Sequence, residues 1–126
     1  MSNPPVIAIV DDDEAVREAL FDLLQVEGLA ACTFDGAAAF LAEARPGRFG
    51  CLVTDVRMPE IDGLELQRHL RARGSAMPVI FLTSSTDDAT RARALRDGAA
   101  AWLTKPVADE ALLGALLTAM SPRGTD

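Results

Sequence analysis

Three continuous apolar runs constrain the fold of this chain more than any other feature. They are Val6–Val10, Cys51–Val53 and Val79–Leu82, and each runs directly into polar residues. An apolar residue at every position indicates a strand buried on both faces, because a half-buried strand would alternate apolar and polar residues. Such strands are typical of parallel sheets whose two faces are covered by helices.

The segments between these runs have the spacing of amphipathic helices. Val16, Leu20 and Leu24 begin an apolar face on the first segment, and Gly28 is a fitting C-terminal stop. The later helices are predicted from an Asp35 cap to about Arg45, over 62–73, from a capping box at Ser85 to about Asp97, and over 107–120.

Two weaker apolar stretches, 31–34 and 100–103, bring the number of predicted strands to five. Alternating strands and helices predict an α/β fold with a doubly wound, five-stranded parallel sheet. Right-handed crossovers and coverage of both faces favour the flavodoxin-like strand order 2-1-3-4-5, with 31–34 at an edge. We expect one domain over 1–126, with its core at about 5–120 and a tail or the start of a linker at 121–126.

Charge and composition exclude several classes of function. The formal net charge of −7 argues against direct binding to nucleic acid or to an anionic membrane, since both require a positive field. No apolar stretch approaches the roughly 20 residues of a membrane span, and the N-terminus does not resemble a signal peptide. A cytoplasmic protein is expected. Cys32 and Cys51 are predicted to be free thiols, because one strand separates theirs.

Polar residues end four of the predicted strands, and parallel strands end at one edge of a sheet. Asp11 and Asp12 follow the first strand, Asp55 the third, Thr83 the fourth and Lys105 the fifth. The first and third strands are neighbours, so the three carboxylates are expected to lie together and to need a hard divalent cation. Mg²⁺ suits such a site, because it binds carboxylates while keeping waters and phosphate oxygens. The set of groups is what a reversible acyl phosphate on Asp55 needs.

The same residues carry a resemblance to a known family. Asp11-Asp12, the run Asp55-x-x-Met58-Pro59-x-x-x-Gly63, Thr83 and Lys105-Pro106 occur in order and at the spacing of the receiver domain of two-component response regulators. The resemblance covers about residues 5 to 120 and includes the CheY-like fold. It is strongest to receivers of the nitrogen-fixation regulator (FixJ-like) class, through the segments 10–14 and 53–59.

The resemblance implies a role for each matching residue. Asp55 would be the phosphoacceptor, and the main-chain carbonyl of Arg57 would join the three aspartates in binding Mg²⁺. Thr83 would bond a phosphoryl oxygen, Lys105 would pair with the phosphoryl group, and the Lys105-Pro106 bond would be cis. Arg57 and Ser85 would flank the path of the hydrolytic water and so modulate the lifetime of the phosphoryl group.

Two residues depart from the family pattern. Trp102 stands where the family usually has the Phe or Tyr that swings inward on activation, and its alternative interpretation is an ordinary half-buried strand aromatic. Ser84 follows Thr83 where the family usually has Ala or Gly. The extra hydroxyl is expected to be tolerated but to slow the entry of phosphate donors.

The resemblance also implies partners. A histidine kinase or phosphotransfer protein would dock on the first helix and on the loop after Lys105. The surface of helix 4, strand 5 and helix 5 would form a homodimer or bind an effector or output domain. The residues expected to set specificity for the kinase are Ala15, Glu18, Asp22 and Val107.

Other functions fit less well. A haloacid-dehalogenase-type phosphatase needs a second acid at position 57, which is arginine, and a dinucleotide-binding domain needs a glycine-rich turn in place of Asp11-Asp12-Asp13. A degenerate receiver that acts only as an interaction module stays open. A receiver is a switch that catalyses its own phosphorylation and dephosphorylation, so its status as an enzyme is ambiguous. The sequence also leaves open whether the chain stands alone or belongs to a longer regulator.

Overall fold

The chain forms one five-stranded parallel sheet in the computed structural model, which describes residues 5–120. The strand order is β2-β1-β3-β4-β5, as the apolar patterning predicts, and all four pairings are parallel. The strands are β1 (Val6–Val10), β2 (Ala30–Phe34), β3 (Cys51–Thr54), β4 (Val79–Thr83) and β5 (Ala101–Thr104).

Each strand is followed by a helix, and the α/β prediction is therefore confirmed. The helices are α1 (Glu14–Val26), α2 (Ala37–Glu43), α3 (Gly63–Ala72), α4 (Asp88–Arg96) and α5 (Asp109–Met120). The last helix begins two residues later than predicted, because the carbonyl of Ala108 is the first to accept helical bonds, from Ala111 and Leu112. In the part of the chain that the structure describes, no helix is both long and apolar enough to cross a bilayer.

Two of the predicted helix caps are wrong. Helix α2 begins after Gly36, without a side-chain cap, so Asp35 does not cap it. Helix α4 is capped by Asp87, whose side chain accepts a hydrogen bond from the Ala89 amide, and not by Ser85. In contrast, Asp62 forms a reciprocal capping box with Glu65 at the start of α3.

The alternation of side chains along the strands divides the core into two layers. Ile7 and Ile9 face the layer under α1 and α5, whereas Ala8 and Val10 face the layer under α2, α3 and α4. All four are at most 1% exposed, which is why the first strand reads as a continuous apolar run. The central strands are thus fixed by burial on both sides, and their C-terminal ends present the polar residues that follow.

Both cysteines are free, as predicted. They lie on β2 and β3, which are separated by β1. Burial raises the pKa of the Cys51 thiol to about 12, so this side chain is a neutral part of the core at physiological pH.

Candidate active site

The polar residues that follow the strands meet at the C-terminal edge of the sheet. The Asp55 amide donates to the carbonyl of Val10, and the Lys105 amide donates to the carbonyl of Thr83, so the parallel ladder continues one residue past β3 and β5. This extension fixes the backbone of both residues before their side chains enter the crevice.

Lys105 joins two carboxylates at the centre of this edge. Its Nζ lies 3.0 Å from Oδ2 of Asp55 and 3.1 Å from Oδ2 of Asp11. The carboxylates are well shielded, since the side chains of Asp11 and Asp55 are 4% and 12% exposed. Burial on its own lowers the pKa of Lys105, but the hydrogen bonds and charges of Asp55 and Asp11 outweigh it, and the net pKa is raised above 10.5. The ammonium is therefore protonated at physiological pH.

The second oxygen of Asp55 is held by the main chain. Its Oδ1 accepts a hydrogen bond of 2.6 Å from the Val56 amide and a longer one, 3.4 Å, from the Arg57 amide. One oxygen thus faces backbone N–H groups while the other faces the ammonium of Lys105. This arrangement holds the carboxylate in one orientation at the mouth of the crevice.

Asp11 is fixed in a similar way, but Asp12 is not. Oδ1 of Asp11 accepts from the Asp13 amide at 2.9 Å, and its carbonyl accepts from Nη1 of Arg17 at 2.8 Å. Asp12 is exposed and forms no side-chain hydrogen bond or ion pair with any residue in 5–120. The structure therefore brings together Asp11, Asp55 and Lys105, and leaves Asp12 beside them.

The donor set suits a divalent cation even though the carboxylates here bind Lys105. Over residues 5–120, no group of three or more His, Cys, Asp or Glu side chains is arranged to hold a metal ion. However, Oδ2 of Asp11 and Oδ2 of Asp55 converge on a single positive charge, the Nζ of Lys105. Oxygen ligands that meet at one cationic point are the kind that Mg²⁺ accepts, with waters completing its coordination. The residues present thus fit this metal.

Thr83 lies next to the crevice with its hydroxyl in use. The residue is 1% exposed, and its Oγ1 accepts a hydrogen bond from the Ser85 amide at 3.1 Å. Ser85 in turn accepts from the Asp87 amide, so the segment between β4 and α4 is a chain of short local turns. Ser84, between them, is exposed.

Trp102 lies on β5, directly across from Phe81 on β4. The ring centroids are 5.7 Å apart at an interplanar angle of 45°, and the indole is half-buried against the core under α2, α3 and α4. This packing fits both an ordinary strand aromatic and the switch aromatic that the family resemblance implies, since Thr83 lies two residues beyond Phe81 on β4. The Lys105-Pro106 peptide bond is cis.

Gly63, the last residue of the aspartate motif, is in direct contact with the Asp55 main chain. A Cβ built on Gly63 would overlap the carbonyl oxygen of Asp55, and the Gly63 amide donates to the Val56 carbonyl at 2.7 Å. Only a residue without a side chain lets α3 begin this close to the acid. Neither this contact nor the hydrogen bond from Arg17 to the Asp11 carbonyl was predicted from the sequence. The available signal was the spacing along the chain, of Gly63 from Asp55 and of Arg17 from Asp11.

Comparison with known proteins identifies the family. A family model described as the response regulator receiver domain matches residues 7–117. The chain belongs to the response regulator receiver family.

The relatives of this receiver include response regulators from several bacteria. The response regulator protein TodT of Pseudomonas putida is 43% identical over 115 residues, which are 91% of this chain and 51% of TodT. The transcriptional regulatory protein FixJ of Azorhizobium caulinodans is 47% identical over 110 residues, which are 87% of this chain and 52% of FixJ. The crystal structure of FixJ-N superimposes with a TM-score of 0.86 at 36% identity, covering 94% of this chain and 95% of FixJ-N.

These matches confirm the predicted family and its nitrogen-fixation regulator class. The receiver spans about half the length of the curated relatives that it matches. Receivers are the modules of two-component systems that interact with kinases and with output domains, and the present chain is one of these modules.

Proposed function

We propose that Asp55 is the phosphoacceptor of this receiver and that a histidine kinase or phosphotransfer protein is the donor. The main support is the orientation of its carboxylate, with Oδ1 on the Val56 amide and Oδ2 on Lys105. One carboxylate oxygen forms the new P–O bond while the P–N bond of the donor phosphohistidine breaks. The bonding electron pair leaves with the histidine nitrogen. Lys105 keeps its proton and pairs with a phosphoryl oxygen.

Mg²⁺ is the cofactor of this proposal. Asp11, Asp12, Asp55 and the main-chain carbonyl of Arg57 would hold it. When bound, the metal neutralises phosphoryl oxygens as charge develops on them. Asp11 and Asp55 each direct one oxygen at the same ammonium, so both can turn to a cation that enters there. Lys105 is then free to move to the phosphoryl group.

Thr83 and Trp102 are proposed as the switch. Thr83 ends β4, which pairs with the strand that leads into Asp55, and within residues 5–120 its hydroxyl has one hydrogen-bond partner, the amide of Ser85. A phosphoryl oxygen that binds this hydroxyl competes with the turn before α4. Because Trp102 packs on Phe81 beside this turn, the surface of α4, β5 and α5 changes with it and forms a homodimer or binds an effector or output domain.

The kinase is proposed to dock on an apolar groove beside Lys105. The groove has a volume of about 440 Å³ and lies between α1 and the loop that follows Lys105. Its mainly aliphatic lining includes Val16, Leu20, Leu23, Pro106 and Val107. A helical partner that fills it would bring its phosphohistidine to Asp55.

Residues of α1 and of the groove wall are proposed to set specificity for the kinase. Ala15, Glu18 and Asp22 are exposed on α1, where Glu18 and Asp22 line a separate crevice toward β2, and Val107 lines the groove itself.

Arg57 and Ser85 are proposed to modulate the lifetime of the phosphoryl group. Arg57 is exposed and lies two residues beyond Asp55, where its charge and bulk can shield the phosphoryl group from water. We expect Arg57→Ala to change the rate of dephosphorylation by a few-fold with an unchanged circular dichroism spectrum. An unchanged rate would remove Arg57 from the mechanism.

The proposed function also includes the extent of the domain. Residues 1–126 are proposed to form a single receiver, with 121–126, which lie outside the described residues, as a tail or the start of a linker.

Labelling with a small phosphate donor tests the proposed function. The purified chain is incubated with acetyl phosphate and Mg²⁺, and its mass is measured before and after mild alkaline treatment. We expect one alkali-labile phosphoryl group on the wild type, none on Asp55→Asn, and none when chelator replaces the metal. Asp62→Asn, which keeps a capping side chain on α3, serves as the matched control and should be labelled. Equal labelling of Asp55→Asn would refute the proposal, and no labelling of any variant by acetyl phosphate or a kinase would favour a degenerate receiver.

A further inference from the structure

The guanidinium of Arg17 binds a main-chain carbonyl although several acidic side chains lie nearby. Three acids, Glu14, Glu18 and Asp22, line the same crevice as Arg17 between α1 and β2. Nevertheless, within residues 5–120 the side chain of Arg17 makes no ion pair, and its one hydrogen bond goes to the neutral carbonyl of Asp11, at 2.8 Å. Surface ion pairs with flexible acids contribute little, so a half-buried guanidinium that binds a carbonyl is better explained by what it holds in place.

The carbonyl of Asp11 belongs to the peptide unit that links Asp11 to Asp12. Because this unit is planar, a hydrogen bond to its oxygen fixes the plane and thereby the direction in which the chain continues to Asp12. Two further hydrogen bonds hold the rest of Asp11 in place. Its amide donates to the Phe34 carbonyl at 3.2 Å, and its Oδ1 accepts from the Asp13 amide at 2.9 Å.

The contact reaches the active site through Asp11. Oδ2 of Asp11 lies 3.1 Å from Nζ of Lys105, which also binds Asp55. A rotation of the peptide unit after Asp11 would shift this carboxylate and would turn Asp12, whose side chain has no partner within the described range 5–120 to restrain it. Among the side chains of residues 5–120, the guanidinium of Arg17 alone donates to this peptide oxygen.

We propose that Arg17 is a positioning residue, which holds the Asp11–Asp12 peptide unit so that both carboxylates can bind a divalent cation beside Asp55. This inference deepens the proposed function and rests on its magnesium site. Groups that orient metal ligands from behind typically change metal affinity by 10- to 100-fold when they are removed.

The positioning role and a purely electrostatic role of Arg17 predict opposite results. Arg17 carries a positive charge near a site for cations, so loss of the charge alone would strengthen Mg²⁺ binding. Loss of the hydrogen bond to the Asp11 carbonyl would weaken it. Arg17→Gln removes the charge and shortens the donor, whereas Arg17→Lys keeps the charge but replaces a planar fork with a single flexible ammonium.

Calorimetric titration of the unphosphorylated chain with Mg²⁺ alone separates these roles. We expect Arg17→Gln to raise the dissociation constant by about 10-fold, and Arg17→Lys to fall between it and the wild type. The matched control is Arg73→Gln, which removes the same charge from an exposed residue at the C-terminal end of α3. This control should bind Mg²⁺ within about two-fold of the wild type, since the 10 residues of α3 place Arg73 roughly 15 Å from the end that contacts Asp55, and exposed charges so far apart are screened.

Amide exchange of Asp13 provides a readout without metal. Its amide donates to Asp11 Oδ1, so we expect faster exchange in Arg17→Gln while the amides of β3 and β4 stay protected. Arg17→Lys carries the test if the glutamine variant does not fold. Equal or tighter Mg²⁺ binding by both Arg17 variants would overturn the inference and leave the proposed function standing. A wild-type chain that binds no Mg²⁺ would overturn both.

Discussion

Replacing Gly63 by alanine would place one methyl group against the main chain of the proposed phosphoacceptor. The new Cβ would overlap the carbonyl oxygen of Asp55 and would lie 3.1 Å from both its carbonyl carbon and Cε1 of Phe81. Ordinary contacts of this kind are about 3.5–4.0 Å. The group that the new Cβ overlaps is main chain. Because the Gly63 amide donates a hydrogen bond to the carbonyl of Val56, the residue after Asp55, the two main-chain segments cannot move apart freely.

We expect Gly63→Ala to lower the free energy of unfolding by about 1–3 kcal/mol, the usual cost of overpacking. The matched control is Gly114→Ala in α5, where a Cβ would meet no atom within 4 Å. Because Gly114 is an exposed helical residue, its replacement by alanine should raise the free energy of unfolding by about 0.5–1 kcal/mol. Urea unfolding followed by circular dichroism measures both values.

The same substitution should also impair the site, because any shift that relieves the overlap moves the peptide of Asp55. We expect the rate of labelling by acetyl phosphate to fall at least about 10-fold in Gly63→Ala, as misplacement of a reacting group typically causes. Labelling of Gly114→Ala should be unchanged. If Gly63→Ala were as stable as the wild type and labelled at the same rate, the close approach of α3 to Asp55 would be wrong.

Three further predictions concern Lys105, the Thr83–Trp102 pair and Glu60. Lys105→Met leaves the shielded carboxylates of Asp11 and Asp55 unpaired and should lower the free energy of unfolding by about 1–3 kcal/mol, part of which Mg²⁺ restores. Because the pKa of Lys105 is raised in the folded state, this difference from the wild type should persist to about pH 10 and shrink above it. Urea unfolding of both proteins across this pH range measures the difference. Trp102 emission should shift on phosphorylation in the wild type and stay flat in Thr83→Ala, and an equal shift in both would mean that the indole reports only local charge. Glu60 has a φ of 69°, so Glu60→Gly should raise the free energy of unfolding, measured with urea, by up to about 1 kcal/mol, and a lower value would contradict this.

The sheet was predictable because a strand buried on both faces has an apolar residue at almost every position. Strands β1, β3 and β4 are covered on both faces, and each is apolar at almost every position. The capping residues of helices are harder to predict from the sequence. Several residues that can cap occur together before α4, and the turn formed by Thr83 and Ser85 selects Asp87 among them. Before α2 the main chain passes through Gly36 without using the nearby Asp35.

The positions of the site residues were predictable in part. Parallel strands end at one edge, so the sequence places Asp11, Asp55 and Lys105 there together. It does not reveal that the long side chain of Lys105 bridges both carboxylates, because this depends on tertiary distances of a few ångströms. The contacts of Arg17 and Gly63 escape prediction for the same reason: each is made to a backbone carbonyl, which every residue possesses.

The most direct test of the central proposal is chemical identification of the phosphorylated residue in the wild-type chain. After reaction with acetyl phosphate and Mg²⁺, borohydride reduces an aspartyl phosphate to homoserine, and mass spectrometry of the peptides locates the change. We predict homoserine at position 55 and at no other aspartate. Homoserine at position 11, 12 or 62 with Asp55 intact would contradict the assignment of Asp55 as the phosphoacceptor.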